Sequence, residues 1–87
     1  MQVEFNATIK RKRGEIMTDV ILLKKKIEES GMTMVAISKK SNILRETLYN
    51  RINGVGEFTA TEIIALSKVL GLSNKERDQI FLREKLN

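Results

Sequence analysis

Two short helical patterns meet at a single residue, Asn42, within residues 32–54, MTMVAISKKSNILRETLYNRING. Thr33 is a favoured N-cap type, and Met34 to Ser41 follow it with Val35, Ala36 and Ile37 as apolar content. After glycine, asparagine best tolerates the left-handed backbone that ends one helix and turns the chain sharply, so Asn42 predicts a tight turn. The next helix is expected over about 44–53, stopped by Gly54. Leu44, Leu48 and Ile52, at i, i+4 and i+8, fall on one face and are expected to anchor it inward. The opposite face carries Glu46, Tyr49, Asn50 and Asn53.

Further helices flank this pair. Thr18 is the expected N-cap of the first, with Asp19 in its first turn, Val20, Leu23 and Ile27 at helical spacing, and Gly31 as its stop. Thr59-Ala60-Thr61-Glu62 reads as a capping box, with Phe58 and Ile63 placed for a hydrophobic staple. That opens a fourth helix burying Ile63, Leu66 and Leu70 before Gly71. Ser73-Asn74-Lys75-Glu76 is a second capping box, opening a fifth helix anchored by Ile80, Phe81 and Leu86. Pro is absent and each Gly falls between helical patterns, without a strand pattern, repeat or low-complexity tract. The expectation is an all-α chain: a single five-helix domain over residues 18–87, preceded by a flexible basic extension over 1–17. Within that extension, Lys10, Arg11, Lys12 and Arg13 could track a phosphate backbone or enter a minor groove. A second expectation places the true initiator at Met17, with residues 13–16 read from a purine-rich ribosome-binding sequence.

With 87 residues the chain suffices for one compact domain, whose stability is marginal unless chains pair. There is no Cys, which removes disulfides and thiolate metal sites, and no His, which removes the usual general base and the commonest zinc ligand. No metal and no cofactor is expected. No apolar run approaches the ~20 residues of a membrane span, and the N-terminus has no secretory apolar stretch, so a cytoplasmic protein is expected. The net charge of +5 is uneven. Residues 18–54 hold seven Lys/Arg against four Asp/Glu, whereas residues 55–87 hold five of each. Such asymmetry suits one face meeting a polyanion, although a solvated lysine-rich surface would produce it too.

Major-groove readout needs a short helix held from behind by packing, with donors and acceptors facing the bases. Residues 32–54 describe such an object, and there the pattern resembles the Cro/C1-type (XRE) helix-turn-helix repressor family over about residues 18–70. Thr33 matches the family's capping Thr, Ile37-Ser38 its Leu-Ala pair, and Asn42 its turn Gly. Ile43 matches the Val that follows, Thr47-Leu48 the Thr-Ile pair, and Asn53-Gly54 the closing residues. Departures are Met34 where the family usually has Gln, Ile52 for a frequent Glu, and Glu28 where Arg is common. The downstream segment GEFTATEIIALSKVLGLSNKERDQIF is similar to short regulators of Gram-positive phages and prophages. The resemblance implies a lambda-repressor-like fold and a double-stranded DNA operator as partner.

Arg45, in the first turn of the reading helix, could fork onto guanine O6 and N7, or pair with Glu46 or Tyr49 on the surface. Asn50 is suited to adenine, and poor helix propensity means its exposed mid-helix position needs a reason. Glu46 could accept from cytosine N4 or simply favour the helix dipole. Tyr49 could meet a phosphate or base edge, or pack half-buried. Thr47 matches a family position that often touches phosphate or a thymine methyl, or it could merely flank the core. Thr33, Lys39, Lys40 and Asn53 are the candidates for phosphate contacts, which set register and give salt-sensitive affinity. Met32, Met34, Phe58 and Phe81 are expected in the core or a dimer interface.

The function these readings favour is sequence-specific transcriptional regulation, by a repressor acting as a homodimer on a near-palindromic site. Dimerisation is expected through the fifth helix or the groove between the fourth and fifth. The rival is a protein-binding module, an antitoxin or adaptor on the same fold, which would place an apolar patch where the polar stripe lies. An enzyme is not expected, because neither a nucleophile–base set nor a phosphate-cradling Gly loop is present.

Overall fold

The computed structural model describes residues 16–84. Five helices follow in order: α1 (Val20–Ser30), α2 (Met34–Ser41), α3 (Arg45–Ile52), α4 (Ala60–Leu70) and α5 (Asn74–Phe81). The five-helix, all-α expectation is met. One small addition closes the ends: β1 (Ile16–Met17) pairs antiparallel with β2 (Arg83–Glu84). The Lys10–Arg13 cluster and Leu86 lie outside the described residues.

The cap of α1 is Asp19, one residue later than expected. Its backbone N–H donates to the Ile80 carbonyl (2.6 Å), holding the residue extended. Its carboxylate accepts from the Leu22 N–H (3.1 Å) and from the Arg83 guanidinium. Asp19 therefore starts the first helix and ties it to the end of the last. At the N-caps of α2, α4 and α5 the local chemistry is as the residues imply. Thr33 Oγ1 accepts from the Ala36 N–H, and both capping boxes, Thr59–Glu62 and Ser73–Glu76, are formed reciprocally.

Side chains from every helix meet in one core: Leu23, Ile37, Ile43, Leu48, Ile52, Phe58, Leu66, Ile80 and Phe81. Phe58 and Phe81 pack edge to face, with ring centroids 5.3 Å apart. Met32, Met34, Ile27, Ile63 and Leu70 cover the core's margin. Val35, part of the apolar content of α2, points outward at 42% exposure. One sequence expectation fails here. Leu44 is not an inward anchor but is 74% exposed, and its place is taken by Ile43, at 7%. Leu44 is the N-cap of α3, with φ −58° and ψ 140°, so its side chain lies out of phase with the helical face that Leu48 and Ile52 share.

Candidate nucleic-acid interface

The turn between α2 and α3 is built from the residues around Asn42, the one non-glycine of positive φ among the described residues (φ 61°, ψ 30°). Ser38 Oγ donates to the Ile43 carbonyl (2.5 Å), and Ser41 Oγ accepts from the Ile43 N–H (3.3 Å). Two helix-C-terminal serines thus satisfy the backbone on either side of a buried isoleucine. That fixes the angle at which α3 leaves the turn.

Behind α3, Leu48 and Ile52 are sunk in the core. In front, Arg45, Glu46, Tyr49 and Asn50 are exposed together on one face, with Tyr49 at 47%. The helix is slightly shorter than expected, Arg45–Ile52, and Asn53 is its exposed C-cap. Thr47 is half-buried and lines a cleft with Leu44, Thr59 and Thr61, between the starts of α3 and α4. Thr33, Lys39 and Lys40 are exposed, but at opposite ends of α2. Lys40 reaches back along the helix, its Nζ 3.8 Å from the Met32 sulfur, which carries the ammonium toward Thr33. The Thr33 oxygen accepts from its own helix, and its hydroxyl proton is available to an outside acceptor.

Three features escape a reading of the sequence. Ile43 anchors the reading helix from outside it, a position whose only advance signal is the family match. Leu44 stands exposed at the helix's leading end without a side-chain capping bond. Arg51 braces the trailing end. Its Nε lies 3.5 Å from Glu62 Oε1, and its Nη1 donates to the Val55 carbonyl (3.4 Å). Glu62 Oε1 also accepts the Thr59 N–H (3.0 Å), so one carboxylate joins the end of α3 to the cap of α4.

A helix buried along one side, reached through a sharp turn from a second short helix and open along a side of donors and acceptors, defines a helix-turn-helix DNA-binding domain. The helix-turn-helix family model matches residues 23–73, and the chain belongs to that family, as a DNA-binding regulator of the XRE kind. No curated protein and no solved structure matches the chain. The family is a DNA-binding one, not an enzymatic one. Among the described residues no acidic cluster could hold a metal ion, and no helix is long and apolar enough to cross a membrane.

Proposed function

We propose that this protein is a Cro/C1-like repressor, of the short kind that phages and prophages encode. It binds an operator in the cytoplasm as a homodimer and occludes polymerase. The observation that carries this is the face of α3: four exposed polar side chains, Arg45, Glu46, Tyr49 and Asn50, on a helix locked from behind by Leu48 and Ile52. Arg45 takes guanine, Asn50 adenine and Glu46 cytosine N4, while Thr47 and Tyr49 supply flanking contacts. Thr33, Lys39, Lys40 and Asn53 hold phosphates and set the register.

One short helix reads too few base pairs to be selective alone, which is the case for two copies. The groove between α4 and α5, around Ile64 and Leu72, is lined by Lys68 and by Arg77, whose guanidinium is already paired with Asp78 (2.8 Å). The cleft over Phe58 and Phe81 suits a second copy better. Apolar Leu82 and Val20 line it beside the two rings, and Val55 is 60% exposed on the neighbouring loop. It also adjoins the trailing end of α3, so a two-fold axis there would lay the two reading helices along one side of the duplex.

Selection from randomised duplex DNA tests the function. Recovery of a two-fold-related consensus, with affinity falling steeply as salt rises, is the expected result. No enrichment, or a flat salt response, would favour a protein partner.

A further inference from the structure

We propose that Leu44 is a specificity-determining residue that reads a thymine by its C5-methyl group, an inference that rests on the DNA-reading role given to α3. Leucine at this place is costly twice over. An N-cap normally carries Ser, Thr, Asp or Asn, whose oxygen accepts from the first turn, and α3 has no such bond. The isobutyl group is also left 74% in water, although the core lies one residue away at Ile43. Neither packing nor helix formation accounts for it.

Its surroundings do. Leu44 directly precedes Arg45 and lies three residues before Thr47, and Leu44 and Thr47 line the same cleft. Leu44 thus stands exposed at the leading end of α3, next in the chain to Arg45, where the donor and acceptor side chains begin. In the major groove the thymine methyl is the one apolar group that projects from a base edge, and aliphatic side chains recognise it by contact. Polar side chains then read hydrogen-bonding groups while Leu44, with the Thr47 methyl, covers the methyl of an adjacent pair. Ser at this position would cap the helix better and read nothing apolar.

The test uses the full chain and the duplex recovered by selection, with each thymine replaced in turn by deoxyuridine, which deletes only the methyl group. For the natural protein, one or two positions at the outer part of the half-site lose about fourfold in affinity, the size expected for burial of one methyl group. Leu44→Ala abolishes that thymine preference with little change in thermal stability. Leu44→Ser abolishes it while raising the melting temperature, since it restores a cap; a merely structural leucine would do the reverse. Equal binding of thymine and uracil duplexes at every position, or a preference that survives in both variants, overturns the assignment while leaving DNA binding intact. Failure to recover any duplex overturns the DNA-reading role itself, and this assignment with it.

Discussion

The guanidinium of Arg51 fills the space that a side chain at Gly56 would take. A Cβ built on Gly56 would overlap Arg51 Nη1, and Gly56 has φ 77°, a left-handed backbone that favours glycine. The loop between α3 and α4 closes over Arg51 because that position lacks a side chain. Gly56→Ala should therefore do two things at once: cost about 1–2 kcal/mol for the backbone, and push Arg51 off Glu62. Gly31 is also left-handed, at φ 73°, but a methyl group added there would meet nothing within 4 Å, so Gly31→Ala should show the backbone cost alone. Thermal unfolding of the two alanine variants should show the larger loss at Gly56. Equal losses would mean that Arg51 yields without cost.

The turn yields a sharper contrast. Ile43→Ala removes a buried side chain at the hinge of the two helices and should cost about 2–4 kcal/mol. Leu44→Ala, next to it, should cost under about 0.5 kcal/mol, as for an exposed position without a capping role. Denaturant titration of the pair checks both, and a similar loss at the two positions would put Leu44 back in the core.

That pair also shows how far the sequence can be read. Helix existence is legible wherever capping chemistry is local: Thr33, Thr59 and Ser73 each bond within three residues, so their signature is contained in four letters. Asn42 is legible for the same reason, its left-handed conformation being its own property. The exposed face of α3 follows from period alone. Failures arise where distant chain decides or where a period is carried past the end of its helix. Asp19 displaces Thr18 as cap because Ile80 and Arg83, about sixty residues on, engage it. Extending a helical period one residue beyond the helix wrongly places Leu44 in the core. Arg51 reads as one more surface cation until the α3–α4 loop and Glu62 enclose it.

Acid should loosen the contact between α1 and α5. Glu76 accepts the Ser73 backbone N–H and the Lys26 ammonium, each at 2.9 Å, and these hold its carboxyl well below the ordinary 4.5, at about 2. The folded state therefore binds fewer protons than the unfolded state between these values. Stability from this group is complete above pH 4.5 and drains away as pH falls toward about 2. Lys26 is shifted upward by the Glu76 hydrogen bond, so its share is complete below 10.5 and is lost as pH rises beyond that. Melting temperatures of Glu76→Gln should fall less steeply than those of the natural protein between pH 4.5 and 2; parallel curves would refute the linkage.

The proposed homodimer has a choice between two surfaces. Val55→Asp places a charge beside the Phe58–Phe81 cleft and should shift sedimentation equilibrium toward monomer, weakening operator binding about tenfold or more. Ile64→Asp, on the α4–α5 groove, should leave the association constant unchanged. The opposite pattern would move the interface to the α4–α5 groove.

DNA recognition separates contacts that specify from contacts that hold. Arg45 is exposed in the first turn of α3, where a cation gains nothing from the helix dipole. The proposed bidentate contact with guanine would offset that, so Arg45→Ala should cost about 1–3 kcal/mol on the preferred duplex and relax one base position. Lys39 lies exposed in the last turn of α2, away from the α3 face, and is proposed to hold a phosphate. Lys39→Ala should weaken all sequences alike and reduce the slope of log affinity against log salt by about 1. Binding of both variants to a panel of single-base operator changes, at several salt concentrations, decides the matter. A uniform loss for Arg45→Ala would make it another phosphate contact, and a base-specific loss for Lys39→Ala would extend the reading surface onto α2.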